Sequence, residues 1–202
     1  MDDEAAASTI DIAFELEGRA LPRQHRRALA AALERVLPWL AEVPGAGVHR
    51  LNVSAGGGAQ ALLSRRTRLT LRVPRERAHD VAALQGTELR LESCTLRLGA
   101  PHFRELRPHG TLYAHLVAAD EADETGFLRA MADELQALGV PCRLICGRLQ
   151  VAESDDLQGY SLMLDGLTPA GALRVLEVGL GRHRRLGCGV FVPHKSAVAV
   201  GA

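Results

Sequence analysis

Lysine is all but missing from this chain: Lys195 is the only one among 202 residues, so arginine carries nearly all of the basic complement. Aromatic residues are almost as scarce, at 3%. That scarcity argues against a sheet that binds nucleic-acid bases by stacking, which needs exposed rings in pairs. Net charge is zero, because 24 acidic residues balance 24 basic ones. Bulk attraction to a polyanion is thereby excluded, and any such binding must come from where charges are placed. No apolar run approaches the ~20 residues that span a bilayer, and no membrane partner is expected. Cys94, Cys142, Cys146 and Cys188 form no C-x-x-C pair, and no signal-like stretch precedes the first apolar run. A reduced, cytoplasmic setting is expected, with no metal site and no cofactor.

What is present is enough apolar material, 47% of residues, to build a sizeable core. Thr9 to Leu16 alternates like a half-buried strand, and Gln24 to Leu40 carries apolar residues at helical spacing. Strands are expected at Val48 to Val53 and Arg68 to Val73, with a loop at Gly56 to Gly58 between them. Pro74 starts a short helix to Leu84, and Leu89 to Leu98 closes the half as a strand or hairpin. A linker follows near Pro101 to Gly110. The second half repeats the order. It has a strand at Thr111 to Ala118 and a helix at Glu124 to Leu138, stopped by Gly139 and Pro141. Strands at Arg143 to Val151 and Tyr160 to Leu164 come next, then a helix capped by Thr168 with Pro169 in its first turn, running to about Val178. An apolar strand at Val190 to Val192 ends the pattern. The expected fold class is α+β. Two tandem ferredoxin-like β-α-β-β-α-β modules with antiparallel sheets would span 1–104 and 105–202.

The densest motif is Gly179-Leu-Gly-Arg-His-Arg-Arg-Leu-Gly-Cys-Gly189, with G-x-G at both ends of a basic centre. It lies between helix and strand, the wrong order for a dinucleotide fingerprint, and it lacks the Gly-Lys-Ser/Thr of a P-loop. Two readings stay open: a connector made basic by an Arg-heavy composition, or flexible backbone and guanidinium groups around a polyanion.

Together with Gly47-Val-His49, Leu63-Ser-Arg-Arg-Thr-Arg-Leu69, Ser161-Leu-Met-Leu164 and Phe191-Val-Pro-His-Lys195, this loop resembles the repeat-associated RNA-processing superfamily of CRISPR systems. The resemblance covers nearly the whole chain and falls in the Myxococcus-subtype branch of the repeat endoribonucleases. It implies metal-independent cleavage of a CRISPR precursor transcript within each repeat. In that reaction the ribose 2′-hydroxyl attacks phosphorus, leaving a 2′,3′-cyclic phosphate and a 5′-hydroxyl. The implied partners are CRISPR repeat RNA, as a stem-loop, and other subunits of a guide-RNA effector complex. The alternatives are a repeat-RNA-binding subunit of such a complex that does not cut, and a small-molecule-binding tandem unrelated to RNA.

Transesterification needs a base, an acid and a cationic clamp, and histidine suits either proton role because its unperturbed pKa, ~6.5, lies near working pH. The resemblance puts a catalytic histidine after the first helix, where His49 stands. His25 opens that helix, where it would face a cleft between modules. His183 sits inside the glycine loop as a phosphate ligand. His79, His102, His109 and His115 have no motif context and are assigned to surface or core, while His194 adjoins Lys195 at the last strand. RNA contacts are expected from Arg65, Arg66 and Arg68, from Arg182, His183, Arg184 and Arg185, from Gly179, Gly181, Gly187 and Gly189, and from Lys195. Tyr113 and Tyr160 read as strand residues packed on a helix.

Overall fold

The computed structural model describes residues 7–92, 94–120, 123–152 and 157–195. β1 (Thr9–Glu17) sends Ile10, Ile12 and Phe14 inward as alternation requires, each at most 4% exposed. β2 (Ala20–Pro22) follows, then α1 (Arg26–Val36), whose apolar stripe buries Leu29, Ala30 and Leu33. β3 (Gly47–Val48), β4 (Ser54–Ala55), β5 (Gln60–Leu62), β6 (Arg68–Pro74), α2 (Ala78–Ala82), β7 (Glu88–Leu91) and β8 (Cys94–Glu105) complete the first module. The second contains β9 (Thr111–Ala118), α3 (Glu124–Ala137), β10 (Arg143–Ala152), β11 (Leu157–Asp165), α4 (Pro169–Val178) and β12 (Val192–Pro193). Among the described residues no helix is long and apolar enough to cross a membrane.

The main sheet of the first module has the order β3-β6-β1-β8-β7, and the second module's sheet runs β10-β11-β9-β12. Apart from the β7 hairpin strand, both give the spatial order second-third-first-fourth within their βαββαβ unit. Both are therefore ferredoxin-like, and every pairing is antiparallel. Each module has its own core, Ile12, Phe14, Leu33 and Leu71 at the centre of one, Leu112, Phe127, Leu162 and Phe191 of the other. Tyr160 is buried against Phe127, with ring centroids 4.8 Å apart, and Tyr113 lies beside His194.

Several expectations are corrected. The first helix stops at Val36, because Leu37 precedes Pro38 and leaves helical geometry at φ −131° and ψ 76°; a 3₁₀ turn, Pro38–Ala41, replaces the last turn. Of the expected strand 48–53 only Val48 pairs in the main sheet, together with Gly47 before it, and β4 forms a small second sheet in the order β2-β5-β4 instead. β8 runs to Glu105, which pairs with Ile10, so the connector narrows to residues 106–110. The last strand is displaced to Val192–Pro193, because irregular backbone continues past the glycine loop through Phe191. Thr168 caps its helix as expected, accepting from Gly171 N, and Asp123, a cap the sequence reading did not name, accepts from Thr125 N and Gly126 N.

Candidate active site

The two modules meet around one buried cation. Arg72, on β6, is 1% exposed. Its Nε and Nη2 donate to Asp11 Oδ1 and Oδ2 at 2.8 and 2.9 Å, a bidentate pair on adjacent strands. Its Nη1 donates across the interface to the carbonyls of Leu176 and Phe191, at 2.9 and 2.7 Å. Ser8 adds two bonds to Glu177, from N at 2.6 Å and Oγ at 2.7 Å.

The glycine loop forms the rest of this seam. Gly179, Gly181, Gly187 and Gly189 all have φ between +63° and +76°, where a side chain is strained. A Cβ on Gly179 or Gly189 would fall inside the loop's own atoms, Arg184 Nη1 in one case and the Leu180 carbonyl in the other. Their amides are all engaged: Gly179 N with Val175 O, Gly181 N with Glu134 Oε2, Gly187 N with Arg184 O and Gly189 N with Leu116 O. Their amides are committed to the protein, and the missing side chains let the loop fold tightly enough to dock on the first module. Arg184 is likewise turned inward, because His183 adopts left-handed backbone at φ +65°. It donates to Gly45 O at 2.8 Å and Glu177 O at 3.2 Å, which ties the loop to the first module. From the other side, Arg26 Nη1 donates to Leu186 O at 2.6 Å.

Beside the seam lies a cavity of about 230 Å³. Into it face Arg23, His25 and Arg26 from the start of α1, His49 and Arg50 after β3, His115 from β9, Gln150 from β10 and Arg185 from the loop. Among the described residues none that lines it is acidic. A chain of zero net charge thus concentrates four arginines and three histidines on one concave surface, the arrangement that focuses potential on an anion.

His25 is half-buried, and its Nδ1 lies 3.0 Å from Pro22 O and 3.1 Å from Arg23 O. Carbonyls only accept, so Nδ1 carries the proton and exchange with a substrate runs through Nε2. His49 is held by its backbone, N to Thr70 O at 2.9 Å. Its side chain is 15% exposed, with Nε2 3.2 Å from Asp11 Oδ1 but off the line of a hydrogen bond. Burial lowers its pKa below 6.5, against the pull of the Asp11 carboxylate, so the ring is neutral at neutral pH. Asp11 is held well below the usual carboxylate range: burial raises its pKa, but the adjacent His49 ring and the bidentate Arg72 guanidinium outweigh that. Arg50 is exposed and makes no hydrogen bond or ion pair among the described residues.

Sequence reasoning assigned His115 to surface or core, and the structure brings it into the cavity. Between Ala114 and Val117 strand β9 has one residue more than its partner β11, and this bulge re-aims His115. Burial, then Arg50 and Arg26, push its pKa down to about 4. His115 and His49 both refuse protons that the unfolded chain accepts, so stability is complete above about pH 6.5 and falls as the pH drops toward 4. Thermal melts at pH 7.5, 6 and 5 are expected to show a falling midpoint, with a shallower slope for His115→Gln. Parallel curves would remove His115 from the effect.

The remaining candidates, Arg185 apart, lie elsewhere. Arg65 and Arg66 are exposed on the turn before β6, and Arg68 Nη2 donates to Glu15 at 2.9 Å. Arg182 pairs with Asp120 in a separate depression with Asp123 and Glu134. Arg185 stands at the cavity rim, paired with Glu34. His183 is exposed on the loop, and Lys195 is exposed beyond β12. Arg23 and Arg26, which the sequence reading did not select, belong to the cavity.

A family model described as Cas6 Crispr matches residues 10–196. The CRISPR-associated endonuclease Cas6 of Myxococcus xanthus (strain DK1622) is 35% identical over 194 residues, covering 95% of this chain and 84% of that protein. Among solved structures, a CRISPR associated protein Cas6 superposes with a TM-score of 0.67 at 10% identity, covering 93% of this chain and 100% of the other. A Cas6-related protein from Pyrococcus furiosus gives 0.63 at 12% identity, covering 91% and 98%. These two share the fold.

Proposed function

Because the chain belongs to the Cas6 family, we propose that its basic cavity cleaves CRISPR precursor RNA within the repeats to release guide RNAs. The supporting observation is the cavity itself: His25, whose Nδ1–H is held by carbonyls, and neutral His49 share a concave surface with arginines and, among the described residues, no acids. Repeat RNA lies across the seam with the scissile linkage between these two rings. Neutral His49 takes the 2′-hydroxyl proton as that oxygen attacks phosphorus. His25 enters as the imidazolium, with Nδ1–H held by the carbonyls of Pro22 and Arg23; its Nε2 gives up the second proton to the departing 5′-oxygen as the P–O5′ bond breaks. The products are a 2′,3′-cyclic phosphate and a 5′-hydroxyl, with one proton taken up and one released. Arg50 stands over the phosphorane, where one well-placed donor is worth about 3–4 kcal/mol. Both proton transfers run through imidazoles, so the step is metal-independent.

The test is repeat RNA, end-labelled, incubated with protein in EDTA beside the same RNA carrying 2′-deoxyribose at the cut site. A cyclic-phosphate product from the first strand and an intact second strand are expected. Cutting of the deoxy strand would exclude the 2′-hydroxyl as nucleophile. Tight binding without product from either strand would make the chain a repeat-binding subunit.

A further inference from the structure

Behind His49 the modules are joined by a line of groups that the reaction above leaves unused: Asp11, Arg72 and the carbonyls of Leu176 and Phe191. Asp11 is 13% exposed and both its oxygens accept from Arg72. A carboxylate so held stays ionised, and a bare ring nitrogen facing it at 3.2 Å would set lone pair against lone pair. The neutral ring relieves this only with its proton on Nε2, which leaves Nδ1 as the nitrogen able to accept.

We propose that Asp11 is a positioning residue, which fixes His49 as the Nε2-protonated tautomer with Nδ1 as the proton acceptor, and that Arg72 makes this orientation conditional on docking of the second module. The inference rests on the catalytic reading of His49 given above. Its second half follows from the same guanidinium. Arg72 has one edge on Asp11, and its Nη1 is held by the end of α4 and by Phe191, the second residue after the glycine loop. Loosening the seam frees Arg72, then Asp11, then the ring. The charges facing the ring are Asp11 from β1, Arg72 from β6 and Arg184 from the glycine loop. Arg26 and Arg50 stand across the cavity, and Arg104, Glu105 and Arg107 line a groove on the other side of His49. Among them Asp11 is the group within ion-pair distance of the imidazole.

The experiment uses the whole protein with ¹⁵N-labelled histidine, following ring nitrogens in long-range ¹H–¹⁵N spectra between about pH 5.5 and about pH 8. His49 is assigned by the signals lost in His49→Gln. Nε2 protonated and Nδ1 bare is the expected result, and the Nδ1–H tautomer would overturn the proposal. Asp11→Asn is expected to lower single-turnover cleavage by about 10- to 100-fold with RNA affinity within about threefold. Losing the nearby negative charge lowers the His49 pKa further, so the acidic limb of the pH–rate profile should move to lower pH. A purely structural role would lower the rate evenly at all pH values or abolish binding, and either outcome would count against positioning. If Asn at position 11 prevents folding, the wild-type tautomer still decides. A wild-type cleavage rate for His49→Gln would sink the catalytic reading while leaving the tautomer result to stand or fall by itself.

Discussion

Alanine at position 25 is expected to slow single-turnover cleavage of repeat RNA by about 10²- to 10⁴-fold, the range that a positioned acid–base group contributes, with affinity changed by no more than about twofold. The separation of the two effects follows from where the residue sits. The cations proposed to hold the RNA backbone, Arg23, Arg26, Arg50 and Arg185, are other side chains of the same cavity and stay in place when the ring is removed. The helix is also little disturbed, since the His25 side chain supplies no N-terminal cap and its backbone carbonyl still accepts from Leu29 N at 2.8 Å. What vanishes is a nitrogen whose protonation partner is dictated by the carbonyls of Pro22 and Arg23. His109→Ala is the control: that ring sits outside the cavity with Nδ1 2.9 Å from Thr111 O. Its rate should match wild type. A His25→Ala rate within a factor of about three of wild type would end the assignment.

Gly189→Ala is expected to damage binding and cutting together. The residue has φ +63°, and a Cβ there would run into the Leu180 carbonyl on the neighbouring segment of the loop. Left-handed strain of about 1–3 kcal/mol and overpacking of about 1–3 kcal/mol act on the same turn. A stability loss of about 2–5 kcal/mol corresponds to a melting point lower by roughly 5–15 °C for a chain of this size. The loss reaches function because the loop carries Arg184 to Gly45 and offers Leu186 to Arg26, which align the cavity walls contributed by each module. Gly57→Ala, where an added methyl would meet nothing within 4 Å, should leave melting point and cleavage unchanged. A Gly189→Ala protein that melts like wild type would show that the loop tolerates a side chain and that the seam is held elsewhere.

Much of the fold was legible because alternation and helical spacing are local signals. Ile10, Ile12 and Phe14 announce β1, and Thr168-Pro169 announces the start of α4, without reference to anything distant. The shortened α1 was legible too, since Pro38 stands in the sequence; its effect on Leu37 was underweighted. The cavity was half legible. His25 and His49 are marked by their neighbours in sequence, whereas His115 is placed by a bulge that exists only when β9 and β11 pair out of step. The glycine loop was read for its composition, and composition does not distinguish a phosphate cradle from a tightly wound hinge. The difference lies in where the amides point, and one of them points to Glu134, 47 residues away. Nor can a run of Arg182, Arg184 and Arg185 reveal which of the three turns inward; the backbone at His183 decides that.

A molecule with no overall charge but one strongly positive hollow behaves as a dipole. A transcript approaching from any direction feels little monopole attraction, yet the protein is turned as it nears, hollow first. Encounters become oriented, and non-productive sticking to bulk nucleic acid is reduced. Its association rate should therefore depend on ionic strength, over distances of about 10 Å at 0.1 M salt, although its near-neutral isoelectric point gives no hint of this.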